Sequence, residues 1–154
     1  MTTDKDRKRR GAVEGFSLTE FLVVMACAVI LISATAPNIV SLQREWTLWG
    51  SARSLEASLQ WGRMHAITAN TPILFMIDPN GDRFYWVDPS TGDQYAGSVR
   101  KLPNGFRIVS SPRRPLRFYQ HGNAAPAGTY KIQGATGSYS VIVSPGGRIR
   151  IQKP

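Results

Sequence analysis

Cysteine is nearly absent from this chain. Cys27 stands alone among 154 residues, so no intramolecular disulfide can staple the fold and no multi-cysteine metal site can form. Histidine is almost as scarce, with only His65 and His121, and no cluster of metal-ligand residues accompanies either. A metal centre or a nucleophile–base pair therefore lacks support, no cofactor is implied, and an enzyme is not expected. Acid is missing from the whole C-terminal part, where residues 94–154 hold ten Lys and Arg and no Asp or Glu. Charge of either sign is missing from residues 21–43. Repeats and low-complexity tracts are lacking too, which excludes a solenoid.

What is present suits one modest globular domain with an appendage, because 154 residues at 42% hydrophobic content leave little room for a second core. The formal charge of +9 favours anionic partners such as nucleic acid or lipid headgroups. The N-terminus opens with Lys5, Arg7, Lys8, Arg9 and Arg10 and then turns apolar. Residues 16–36 span roughly 30 Å as a helix, about the thickness of a bilayer's hydrocarbon core. Positive charge ahead of that run keeps the first residues cytoplasmic and sends the rest outward. A secretory signal would place small residues after the run, and Ser33-Ala34-Thr35-Ala36 imitates such a site.

Against that stands Gly15-Phe16-Ser17-Leu18-Thr19-Glu20, a glycine and an aromatic residue ahead of the apolar run, with a carboxylate five residues past the glycine. This resembles the type III signal of type IV prepilins and type II secretion pseudopilins. The resemblance implies cleavage after Gly15 by a prepilin peptidase, with Phe16 as the new, methylated N-terminus and the apolar helix retained. Glu20 sits at the edge of an apolar helix, where a carboxylate is costly to desolvate unless paired. In the family the matching glutamate pairs with the N-terminal amine of a neighbouring subunit and sets axial register. Thr19 departs from the family's usual aliphatic residue. Pro37 resembles a proline of many pilins and predicts either a kink or the end of the membrane helix. Cys27 reads as a small packing residue within the membrane.

Past the proline, Ala52, Leu55, Leu59, Gly62 and Ala66 recur at three- and four-residue spacings, one apolar helical face. Asn70-Thr71-Pro72 stops that helix and a strand follows. The order is similar to the H-type pseudopilin and FimT-like minor pilin group, in which Arg63 matches a helix arginine; His65 reads as an ordinary polar helix residue and His121 as loop. Seven short runs rich in β-branched or aromatic residues predict strands over 73–77, 83–87, 106–110, 116–119, 129–133, 138–143 and 148–152. Asp78-Pro79-Asn80-Gly81-Asp82, Asp88-Pro89-Ser90-Thr91-Gly92-Asp93 and Ser144-Pro145-Gly146-Gly147 predict the turns. The Asp-rich turns do not fit an EF-hand loop. The fold class expected is α+β, pilin-like: a leader at 1–15, a membrane and assembly helix at 16–37, its amphipathic continuation at 38–71, and a periplasmic head of antiparallel sheet at 72–154.

The acid-free half predicts a basic face. Alternation along the last strand sends Arg148 and Arg150 to one side and Ile149 to the other, so that two guanidiniums meet successive phosphates. Gly147-Arg148-Ile149-Arg150 resembles the GRxR element of FimT-like minor pilins implicated in DNA capture during natural transformation. Arg113, Arg114, Arg117 and Lys153 are expected to join that face. The resulting expectation is a minor type IV pilin, anchored in the inner membrane and incorporated into a pilus, binding double-stranded DNA through its head. The alternative is a minor pseudopilin of a type II secretion system whose head contacts other subunits. A signal-anchored periplasmic enzyme is the poorest reading.

Overall fold

A computed structural model describes residues 17–153, apart from the side chains of 34–41. Gly15 and Phe16, at the expected cleavage point, lie outside the described residues. The chain divides into two compact units, Met1–Ile39 and Val40–Pro154.

One helix, α1 (Leu18–Thr68), supplies the first unit and enters the second. Its helical assignment runs through Pro37, so the proline does not end it. Glu20 in the first turn complements the positive end of the helix dipole. At the other end Asn70, with φ 52, takes the left-handed conformation that turns the chain before Pro72. In the first unit Phe21, Leu22, Val23 and Val24 are all exposed, and four successive residues cover most of a helix circumference. A helix that is apolar all round belongs in an apolar environment. Among the described residues no helix is long and apolar enough to cross a membrane. The span expected over 16–37 extends beyond the described side chains at both ends.

The second unit is the head. Its strands are β1 (Ile73–Ile77), β2 (Arg83–Val87), β3 (Arg100–Lys101), β4 (Arg107–Ser110), β5 (Leu116–Phe118), β6 (Ala124–Ala125), β7 (Gly128–Gly134), β8 (Gly137–Val143) and β9 (Ile149–Gln152). They form two antiparallel sheets, ordered β3-β2-β1-β5-β6 and β4-β7-β8-β9. The seven expected runs all become strands, β1 and β2 with the expected bounds and the other five with an end or both ends shifted by one residue. The two-residue strands β3 and β6 at the edges of the first sheet are additions. Arg148 falls just outside β9, in the turn that feeds it.

Helix and both sheets share one core. Leu48, Ala52, Leu55, Leu59 and Ala66 of α1 are buried against Phe75, Phe84, Trp86 and Phe118 of the first sheet and Tyr130, Ile132, Val141 and Val143 of the second. The expected apolar face of the helix is thus the packed one. Gly62 belongs to it for a steric reason: a Cβ there would lie 2.3 Å from the Trp86 ring. Its absence lets the indole lie against the helix, where Trp86 Nε1 donates to the Ser58 hydroxyl at 3.0 Å. Edge-to-face contact of Phe75 with Tyr130, at 5.6 Å between centroids, joins the two sheets. Burial pushes the Tyr130 phenol far above its ordinary pKa, so it stays neutral. His65 is more than a surface residue, for its ring stacks on Trp61 at 4.9 Å and meets the edge of Tyr95 at 4.9 Å.

Candidate nucleic-acid interface

The arginine pair stands at the end of a tightly held turn between β8 and β9. Gly147 N–H donates to the Ser144 carbonyl at 2.9 Å, Ser144 N–H to the Arg148 carbonyl at 2.9 Å, and Arg148 N–H to the Ser144 hydroxyl at 3.1 Å. Gly147 has φ +76 and is buried, and a Cβ on it would sit 1.9 Å from the Gly122 carbonyl oxygen and 2.6 Å from Arg63 Nε. Only glycine fits. Arg63 Nε itself donates to that Gly122 carbonyl at 2.9 Å, and Ala124 N–H donates to the Pro145 carbonyl at 2.8 Å. Helix, first sheet and arginine turn are thereby tied at one point. A groove of about 380 Å³ opens there, lined by Gln60, Arg63, Met64, Gly147, Arg148 and Ile149.

Alternation along β9 is as expected: Arg148 and Arg150 are exposed, while Ile149 and Ile151 pack against the core. Register then adds two cations. Arg107 is opposite Gln133, Lys131 is opposite Ser140, and Arg150 is opposite Ile142, which itself faces Thr129. Because Ile108, Tyr130, Ile132, Tyr139 and Val141 point into the core, Arg107, Lys131 and Arg150 share the outward face. Strand spacing of ~4.8 Å and ~6.8 Å per residue pair set these three on a diagonal, with Cα separations of about 8 and 12 Å, and Arg148 extends it. The filler between them is Thr129, Gln133, Ser138, Ser140 and Gln152, neutral and able to donate hydrogen bonds, together with the apolar Ile142 opposite Arg150. Among the described residues none of these four cations lies within ion-pair distance of a carboxylate.

Other expected members lie elsewhere. Arg113 and Arg114 are exposed in the loop between β4 and β5, and Arg117 is half-buried on β5 in the other sheet. Lys153 Nζ is 2.7 Å from Glu45 Oε1 and 5.9 Å from the Tyr139 ring centre. Its charge is engaged by Glu45, which also raises its pKa. Glu20 is exposed in the first unit. The acidic turns have internal partners as well: Asp78 accepts from Arg83 at 3.2 Å, and Asp88 accepts from the Ser90 amide and hydroxyl, which hold its carboxyl below the ordinary range.

A helix carrying Arg63 thus leads into a two-sheet head with a glycine-held turn before the last strand. The family model for type II transport protein GspH matches residues 51–147. The chain belongs to that family. Its members are structural pilin and pseudopilin subunits rather than enzymes. The minor pseudopilin EpsH from the type 2 secretion system of Vibrio cholerae has the same fold, with a TM-score of 0.58 at 17% identity over 70% of this chain and 97% of that one. The type IV minor pilin FimU of Pseudomonas aeruginosa matches with a TM-score of 0.57 at 21% identity, over 68% of this chain and 87% of that one. No curated protein sequence matches. This GspH-family chain is therefore a minor pilin or pseudopilin that assembles with other subunits of its kind. Arg148 and Arg150 lie just beyond the part that the family model matches.

Proposed function

We propose that this GspH-family subunit is a minor type IV pilin whose head binds double-stranded DNA through phosphates for uptake in natural transformation. The observation that carries the reading is the diagonal of Arg107, Lys131 and Arg150 on one sheet face, extended by Arg148 in the adjoining turn, four cations that among the described residues have no carboxylate within ion-pair distance. Such a face binds by counterion release, with little sequence preference. If about four phosphates are neutralised, the log–log salt slope of the affinity is about −3.6. Fluorescence anisotropy of a labelled duplex against the full chain in detergent, over a salt series, measures it. No binding at low salt rejects the reading. A second one then applies, supported by the likeness to EpsH: a minor pseudopilin whose head contacts only neighbouring subunits.

The anchoring end of the same reading has two parts. Prepilin peptidase removes residues 1–15, leaving Phe16 at the N-terminus of a helix inserted in the inner membrane, with the head in the periplasm. Mass spectrometry of the chain recovered from membranes is expected to give a mature N-terminus at Phe16; one after Ala36 rejects the processing. Glu20, exposed in the first turn of α1, then pairs with the terminal amine of a neighbouring subunit. Glu20→Ala is expected to leave insertion and leader removal intact and to reduce co-purification with partner pilins several-fold. Unchanged co-purification makes Glu20 an interfacial residue only.

A further inference from the structure

Arg63 carries donors that the turn does not use. Its Nε–H is taken by the Gly122 carbonyl, but the four Nη–H groups have no protein partner among the described residues, although the side chain is half-buried. Arg148 is similar: its backbone N–H and carbonyl are held by Ser144, while its guanidinium has no partner among the described residues. Both arginines line the groove of about 380 Å³, Gln60 lines it with them, and no carboxylate does. Glu56, one turn before Gln60 on α1, is already engaged by Arg53. Two arginines on one hollow repel each other, and an anion between them removes that repulsion while it satisfies donors that partial burial leaves short of partners.

The arrangement of the donors selects the anion. A carboxylate is planar and one guanidinium fork satisfies it, whereas a phosphate presents oxygens in several directions. Here the donors come from two elements, Arg63 and Gln60 from α1 and Arg148 from the turn between β8 and β9. The hollow is also larger than a phosphate group, and Met64 and Ile149 give it an apolar wall on which the carbons of an attached sugar can rest. A lone inorganic ion would leave that wall uncovered. Arg148 heads the diagonal, its Cα ~6.8 Å beyond that of Arg150, so a nucleic-acid strand lying along Arg107, Lys131 and Arg150 arrives at the groove.

We propose that Arg63 and Arg148 clamp one phosphodiester of the bound DNA in this groove, with Gln60 donating to it and the adjoining deoxyribose against Met64 and Ile149. The inference rests on the DNA-binding reading. It makes Arg63 a ligand of the nucleic acid as well as the anchor of the turn, and the number of neutralised phosphates stays at about four because the two arginines share one. The full chain in detergent, isotopically labelled at arginine nitrogen, is titrated with a short blunt duplex and separately with inorganic phosphate while the arginine Nε–H resonances are followed by NMR. The duplex is expected to move Arg63, Arg148 and Arg150 and to leave Arg83, which is paired with Asp78, in place. A duplex that moves Arg148 and Arg150 but not Arg63 overturns the clamp and leaves the DNA reading standing; one that moves none of them overturns both. Phosphate that moves Arg63 where the duplex does not assigns the groove to a free anion and also overturns the clamp. A pair of substitutions separates contact from an effect relayed through the turn. Neither lysine nor glutamine at position 63 reproduces the Nε–H bond to Gly122, yet lysine keeps the charge. Arg63→Gln is expected to weaken duplex binding about ten-fold and Arg63→Lys much less, with circular dichroism confirming that each is folded. Equal losses in the two confine Arg63 to the turn and overturn the clamp.

Discussion

The two sheets of the head differ in where their acids fall. In the five-stranded sheet two of the four cations have carboxylate partners: Arg83 lies 3.2 Å from Asp78 and 3.9 Å from Asp82, and Lys101 lies 4.0 Å from Asp82, while Arg100 donates to the Gly97 and Val99 carbonyls and Arg117 has no ion pair among the described residues. Its outward face also carries Leu74, Met76, Tyr85 and Val87, half-buried side chains from paired positions on β1 and β2, with Arg117 of β5 opposite Leu74. In the four-stranded sheet Arg107, Lys131 and Arg150 are set among Ser, Thr, Gln and Ile142, and neither its strands nor the turns between them hold a carboxylate, whereas the turns beside β1 and β2 of the first sheet hold Asp78, Asp82, Asp88 and Asp93. Both sheets contribute arginines, but carboxylates lie in the turns of the first alone, and the second gathers the larger group of cations without an ion pair among the described residues. A net charge of +9 therefore says less about ligand choice than where the ten acids fall.

That difference depends on the turn that holds Arg148, so breaking the turn is the strongest perturbation. Gly147→Ala puts a Cβ onto the Gly122 carbonyl and forces a non-glycine residue into the left-handed region. Backbone cannot retreat as a flexible side chain would, so a loss on the order of 3 kcal/mol is expected in urea unfolding. A loss within experimental error would mean that the turn has another accessible conformation. Arg63→Met is gentler. It keeps most of the apolar stem and removes the donor to Gly122, and a charged hydrogen bond at a half-buried site is worth about 1.5–3 kcal/mol. If Arg63 mainly fixes the turn, this variant also weakens DNA binding without touching the four cations of the diagonal; full affinity in a folded Arg63→Met chain would separate Arg63 from the site.

Much of this was legible in the sequence for plain physical reasons. Strands of four or more residues with β-branched or aromatic alternation, the three Pro- and Gly-bearing turns and the helical face through Leu55 and Leu59 are local patterns, and all appear in the structure. β3 and β6 escaped because two residues carry no period, and only pairing with β2 and β5 makes Arg100, Lys101, Ala124 and Ala125 strands. The alternation of Arg148 and Arg150 was readable, but their alignment with Lys131 and Arg107 was not, since register across β4, β7, β8 and β9 is not written in any one strand. Lys153 was grouped with the basic face because nothing near it in sequence is acidic; its partner Glu45 is 108 residues away. The hydrogen bond from Arg63 to Gly122 joins residues 59 apart, so the arginine was recognisable while its task was not.

The measurement closest to the central claim compares the two sheets directly. Salt-series anisotropy with a labelled duplex would be run on the full chain, on Arg148→Gln/Arg150→Gln and on Arg83→Gln/Lys101→Gln, with circular dichroism confirming that each is folded. Both double variants remove two positive charges, so a purely global electrostatic effect would treat them alike. The basic-diagonal account predicts that the first lowers the magnitude of the salt slope by about 1.8 and that the second leaves it unchanged, because only the first pair contacts phosphate. Equal reductions in both, or a slope untouched by losing Arg148 and Arg150, would contradict it.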